Sequence, residues 1–245
     1  MRTNLLVVEV CSLILLTACA GPSAESEPIT TGNALVSSET QDVFTRHKEF
    51  VYLVSRDDSQ GQPVVTDTLV LTSSGTSWKS DSTQKGISWG TMAYPKKTGS
   101  GVAEGAGGVW IHPPRFDEYA ILELSPFPEV KRPFVPGQIW DWKLHVGDHY
   151  ANSAWAVWKG DMLVKTQYSA TKTQVVRTAL GQLACQEVLA VSCCAQGIST
   201  LRTLFHPTYG FVVLNYRNID GKRLKLELSR VGINGEFDGN AFFSK

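Results

Sequence analysis

From residue 49 onward, apolar residues recur at every second position in short runs broken by glycine, proline and acidic turns. This period of two is the signature of strands with one buried face. "EFVYLVSR" and "PVVTDTLVLT" flank the turn-rich "DDSQGQ" and read as a hairpin. "GISWGTMAY", "GVWIH" and "EYAILEL" read as further strands. In "QIWDWKLHV", Trp140, Trp142, Leu144 and Val146 share one face, and Asp141, Lys143 and His145 the other. "SAWAVWKGDMLVKTQYSA" predicts two strands around Lys159-Gly160-Asp161, and "TQVVRTALGQLACQEVLAVS" turns at Leu180-Gly181-Gln182. "ISTLRTLFH", "GFVVLNYRN" and "KRLKLELSR" complete the series.

Two stretches depart from this rhythm. Ser38 with Gln41 three residues on is a capping box, and predicts one short N-terminal helix from about 39 to 47. "PKKTGSGVAEGAGG" reads as a long flexible loop and lacks the glycine spacing of a phosphate-binding loop. Helices that would make βαβ units are missing from the pattern. The sequence therefore predicts an all-β, mainly antiparallel domain: a curved sheet, half-barrel or partly closed barrel.

The last hairpin predicts its own register. A two-residue Asp220-Gly221 turn would set Leu214 against Glu227 and Tyr216 against Lys225. A three-residue loop, Ile219-Asp220-Gly221, sets Leu214 against Leu226 and Tyr216 against Leu224. Only the second keeps apolar residues together, so a type I turn with a bulge is expected, Gly221 taking the left-handed conformation.

The first 18 residues read as a targeting segment: Arg2, then an apolar run from Val10 to Leu16 too short to span a bilayer. Glu9 interrupts the run upstream. Leu16-Thr17-Ala18-Cys19 resembles the lipobox of bacterial lipoproteins. That resemblance implies a diacylglycerol thioether on Cys19, cleavage before it, and acylation of the new amino group, with chains such as palmitate. Residues 19–38, "CAGPSAESEPITTGNALVSS", are small, polar and acidic, which suits a lipidated flexible tether. Residues 39–245 make a single β-rich domain. Ala20, rather than Asp, implies by the same resemblance transport to the outer membrane.

Charge narrows the partners. The chain has 23 basic and 23 acidic residues. This balance argues against nucleic acid, which needs a basic face. Cys185, Cys193 and Cys194 are expected as buried free thiols. On one strand Cys185 and Cys193 lie roughly 26 Å apart, beyond the reach of about 7 Å that a disulfide has. A Cys193–Cys194 bridge would be strained.

"LGQLACQEV" followed by "LFHPTYGFVVLNYRNIDGKRLKLEL" resembles the end of a class of uncharacterised periplasmic β-rich lipoproteins, and is more loosely similar to lipoprotein-carrier half-barrels that hold acyl chains against a curved sheet. No catalytic residue comes with the resemblance.

Candidate chemistry is sparse. In "WIHPPRF", His112 and Arg115 flank two prolines and are able to hold an anion, but the prolines themselves explain the motif as a strand stop. "PFPEVKRPFVPG" suits an extended segment covering a sheet edge. His145, Asp148 and His149 are chemically able to bind zinc, although Gly147-Asp148 reads as a turn rather than the helix that HxxxH needs. No GxSxG elbow occurs. Trp140, Trp142, Trp155 and Trp158 form the densest aromatic cluster, suited to core filling or to a ligand. The expectation is a non-catalytic envelope lipoprotein, anchored to the periplasmic face of the outer membrane, that binds a hydrophobic ligand or a partner protein and needs no cofactor. The alternatives are an envelope hydrolase or metalloenzyme built on the histidines and aspartate, and a carbohydrate-binding module built on the tryptophans.

Overall fold

The computed structural model describes residues 42–57, 60–77, 82–91 and 98–233. The expected leader, the expected tether and Cys19 lie outside the described residues. So does the start of the expected N-terminal helix.

Within the body that begins at Glu39, the strands are β1 (Glu49–Asp57), β2 (Pro63–Ser77), β3 (Lys85–Thr91), β4 (Thr98–Gly105), β5 (Gly108–Ile111), β6 (Glu129–Lys131), β7 (Ile139–Val146), β8 (Met162–Thr178), β9 (Gly181–Cys194), β10 (Gly197–His206), β11 (Gly210–Arg217) and β12 (Arg223–Gly232). They form one antiparallel 12-stranded sheet, in the order β6-β5-β4-β3-β2-β1-β12-β11-β10-β9-β8-β7. Two meanders thus meet where β1 pairs with β12.

The connection between the two edges forces the sheet to curl. Laid flat, twelve strands would span roughly 50 Å at about 4.8 Å per step. The edge strands β6 and β7 are joined only by residues 132–138, which reach at most roughly 28 Å. The edges must therefore swing toward each other. Trp110 of β5 and Trp142 of β7 lie 6.3 Å apart between ring centroids, across the seam. Lys131 of β6 sits 5.8 Å over the ring of Trp140. The seam is closed by aromatic contact rather than by a hydrogen-bonded ladder, which makes a half-barrel.

The hollow of the curl is filled by the chain itself. Between β5 and β6, residues Asp117–Leu124 form a 3₁₀ helix, not the expected strand. Tyr119, Leu122, Leu124 and Phe127 are all buried. Residues enclosed on every side cannot show the alternation of a strand, and the apolar run "YAIL" had suggested one. The segment is tied across the whole curl. Tyr119 donates to Asp67 of β2 at 3.0 Å. Ser199 of β10 donates to the Leu124 carbonyl at 2.8 Å. Tyr168 of β8 donates to the Phe127 carbonyl at 3.0 Å.

Other expectations need correction. Residues 42–47 form bends and a turn, not a helix. The amides of Val43 and Phe44 donate to the Glu104 carboxylate at 2.8 and 2.9 Å, so they are spent on a distant side chain. The glycine-rich stretch read as a loop contains β4, paired on both sides by β3 and β5. "SAWAVW" is irregular apart from one bridge, Asn152 to Ala156. The β8–β9 turn sits one residue earlier than expected, since Thr178 pairs with Gly181. "PFPEVKRPFVPG" does more than cover an edge: its Glu129–Lys131 is the edge strand β6.

The final hairpin agrees with the expected register. Leu214 pairs with Leu226 and Tyr216 with Leu224. Gly221 takes φ +79°, and its amide donates to the Asn218 carbonyl at 2.9 Å.

Candidate functional site

Among the described residues, the plug of residues 113–128 packs against the concave face, with Tyr119, Leu122 and Phe127 buried there. The tryptophans belong to that packing. Trp140 stacks on Tyr168 at 5.2 Å with the rings within 3° of parallel. Trp142 lies 4.8 Å from Phe127. Trp155 donates its indole proton to the Tyr150 carbonyl at 3.3 Å, and Trp158 to the Val146 carbonyl at 3.2 Å. All four are half-buried, and they split between two core clusters: Trp140 and Trp142 in the main core, Trp158 with Val146 and Met162, and Trp155 touching both. They do not make the flat exposed row that sugar stacking needs.

The "WIHPPRF" motif comes together with two residues that the sequence did not single out. The His112 ring lies between Trp110 at 5.1 Å and Phe127 at 4.9 Å. Arg115 is 3.8 Å from the Glu123 carboxylate and 3.5 Å from the Tyr150 hydroxyl. Glu123, from the plug, is 4 % exposed. Its Oε1 and the His112 Nδ1 have no hydrogen-bond partner among the described residues. Burial raises the Glu123 carboxyl from its ordinary value to about 7, with Arg115 opposing. Burial, and secondarily the Arg115 charge, lower His112 to about 3. Glu123 was hidden in the sequence because "EYAILEL" reads as one more strand, which gives no reason for its carboxyl to be enclosed.

The second histidine motif disperses. His145 faces outward from β7, opposite Leu163. Asp148 accepts from the Gly160 amide at 2.8 Å. The His149 ring rests against Tyr150 at 4.2 Å. Among the described residues, no three His, Cys, Asp or Glu side chains gather as a metal site would require. The three cysteines are free, but only Cys185 is buried; Cys193 is exposed because it falls on the outer face of β9. Burial pushes the Cys185 thiol up to about 11.

A different feature occupies the outer face. A trough of about 400 Å³ crosses β9–β12, lined by Leu189, Val191, Thr200, Arg202, Arg217 and Arg223 among others. The register explains it. Val191 lies beside Thr200, Thr200 beside Arg217, and Arg217 directly opposite Arg223. Leu189 is 43 % and Val191 48 % exposed, so the floor at the β9 end is apolar and open. Arg202 is paired with Glu187 at 2.6 Å and Arg223 with Asp57 at 3.8 Å. Arg217 has no ion-pair partner among the described residues. Glu187 is held below the usual carboxylate range despite burial, by hydrogen bonds from Thr171 and Arg202. These arginines were within reach of the sequence: the hairpin register that pairs Tyr216 with Leu224 also sets Arg217 against Arg223.

No family model matches the chain, and no curated protein does. Solved structures with a similar outline include a candidate lipoprotein from Parabacteroides distasonis, with TM-score 0.47 and 9 % identity over 77 % of this chain and 96 % of that one. A candidate exported protein with a YmcC-like fold from Bacteroides fragilis gives TM-score 0.40 and 10 % identity over 77 % and 96 %. The hypothetical lipoprotein YmcC from Escherichia coli gives 0.38 and 8 % over 81 % and 98 %. At these scores the likeness carries no argument about activity or membership.

Proposed function

We propose that this chain is a membrane-anchored envelope lipoprotein whose β domain works by binding and not by catalysis. The observation that carries the reading is the occupied curl. The concave face, where a half-barrel would hold an acyl chain, is packed with Tyr119, Leu122, Leu124 and Phe127 of the chain's own plug. Binding is thereby left to the outer face, to a lipid or to an envelope protein. The lipobox at Leu16–Cys19 supplies the anchor, and Ala20 directs it to the outer membrane, facing the periplasm. The acyl chains anchor firmly, each buried methylene contributing about 0.8 kcal/mol.

A mass measurement on the full-length protein from its host tests the anchor. Acyl additions on a chain beginning at Cys19 are expected, and Cys19→Ala should leave the membrane fraction. A bare chain cut elsewhere overturns the anchor.

A second reading is favoured by one observation, the Glu123 carboxyl raised to about 7 beside Arg115 and Tyr150. Groups poised near neutrality recur in acid–base sites. Hydrolysis of a chromogenic ester that disappears in Glu123→Gln, with the fold intact, would replace the binding reading by this one.

A further inference from the structure

We infer that the trough on the outer face of β9–β12 is a binding site for a phosphate-bearing lipid, the phosphate held by Arg217 and Arg223 with Arg202 beside them, and the acyl chain laid over Leu189 and Val191. The inference rests on the binding reading and adds the chemistry of the ligand.

Arg217 and Arg223 are direct partners in the β11–β12 ladder. Both are exposed on the outer face. Like charges directly opposite on one face of a sheet repel. Asp57 stands 3.8 Å from Arg223, and no ion pair reaches Arg217 among the described residues. Arg202 adds a third guanidinium in the same trough, with Glu187 as its partner. Among the described residues the two neighbouring acids match two of the three cations, which leaves a net positive charge centred on Arg217. A guanidinium presents a planar fork of donors that fits phosphate oxygens bidentately, and two forks side by side suit one compact polyoxygen anion.

The second part is the floor. Charge alone would describe any basic surface. Here the basic end runs into Leu189 and Val191 on β9, both open to solvent. The apolar strip continues past the trough through Ile198, 62 % exposed, which pairs with Cys193 one step beyond Val191. The ligand that matches both ends has an anionic head and an apolar tail. The volume, about 400 Å³, lies in the range of small-molecule sites and takes a headgroup with the first part of a chain. The remaining methylenes would lie along Val191 and Ile198. A phosphate headgroup also matches the setting, because the tether proposed above keeps the domain beside a phospholipid surface.

The test is native mass spectrometry of the full-length protein released from detergent micelles. The probes are phosphatidic acid, phosphatidylcholine of the same chains, and inorganic phosphate. The wild-type protein is expected to retain one phosphatidic acid. R217Q/R223Q should lower that occupancy at least tenfold, and Leu189→Glu, which adds a carboxylate to the floor, should do the same. Because all three positions are exposed, these variants should keep the wild-type melting temperature within a few degrees, and phosphatidic acid should raise that temperature in the wild type only. Equal retention of phosphatidylcholine, unchanged occupancy in the double variant, or full displacement by inorganic phosphate at equal concentration each overturns the site. The same spectra report the mass of the chain itself. Loss of the Cys19 acyl mass would sink the anchor reading and leave the trough result standing. An acylated chain without bound phosphatidic acid would sink the trough alone.

Discussion

Glu104 and the Arg217–Arg223 pair are both concentrations of charge on one sheet, and the fold treats them in opposite ways. The Glu104 side chain is 0 % exposed and fully matched: amides of Val43 and Phe44, Arg132 at 3.3 Å and Lys85 at 3.7 Å all face its carboxylate. The two arginines stand outside with like charge facing like charge. The difference follows from the surroundings. A buried ion left unmatched costs several kcal/mol, so the interior tolerates it only with a full set of partners. In water the same mismatch costs a fraction of that, so an outer face can keep it for other uses. Unmatched charge on a protein's exterior is therefore cheap to hold and informative to find.

The largest effect should come from breaking the matched side. Glu104→Ala strands two amides and takes the carboxylate from Arg132, while Lys85 keeps Asp42, and it should destabilise the protein by about 3–5 kcal/mol in chemical denaturation. A loss under 1 kcal/mol would mean that the Glu104 cluster does not hold residues 42–48 to the sheet.

The partly matched cluster at Glu123 comes next, and pH reads it. Its carboxyl moves from 4.5 to about 7 on folding, so the folded state holds the extra proton and stability falls as pH rises through that window. His112 moves from 6.5 to about 3, so stability rises with pH from about 3 to 6.5. Where the windows overlap, the slopes oppose, and wild-type stability should be nearly flat between pH 4.5 and 6.5. Glu123→Gln removes one slope. Its stability should climb across that range and exceed the wild type at pH 8 by about 1–3 kcal/mol. Melting curves from pH 4 to 8 decide it; parallel profiles for the two proteins would remove Glu123 from the account.

A change in the turn tests what puts the arginines together. Gly221 at φ +79° lets the three-residue loop close, with the Asp220 carboxylate accepting from the Lys222 amide at 3.0 Å. Gly221→Val should cost about 1–2 kcal/mol, since a β-branched residue resists the left-handed region. Unchanged melting would show that the loop is not what sets the Arg217–Arg223 register. The smallest effect should have the opposite sign. Arg217→Gln removes repulsion and should raise stability by about 0.2–1 kcal/mol in the absence of ligand. A clear loss instead would mean that Arg217 is a structural residue.

The sequence was most readable where one face is buried and the other is wet. "QIWDWKLHV" and the hairpin around Gly221 alternate cleanly, and the faces of the first and the register of the second follow from that alone. The plug was unreadable for the converse reason. Tyr119, Ile121, Leu122 and Leu124 are buried without regard to face, so no period survives. β4 was hidden by composition: "TGSGVAEG" looks like a loop until the strands on both sides supply its ladder. Trp155 and Trp158 sit in a run that reads as a strand, but their indoles are tied by hydrogen bonds to backbone carbonyls, of Tyr150 in the short 3₁₀ turn Asp148–Tyr150 and of Val146 in β7. The half-barrel itself was expected, yet its filling was not, because the segment that fills it crosses from β2 to β10 through contacts between residues far apart in the chain. Of the site, the arginine pair was implicit in the register, while Glu123 became visible only once the plug was placed.

The strand order has a mechanical consequence. Counted from β7 through β12 and then β1 through β6, the sheet is an uninterrupted meander, so the chain begins its path in the middle and ends it beside its own start. β1 is flanked by β2 on one side and β12 on the other. A force arriving from the residues before Glu49 is thus shared by two ladders pulled in shear, whereas a chain that began at β6 or β7 would be peeled from a rim one bond at a time. Were the proposed anchor the point of loading, the domain would yield last at the strand nearest it.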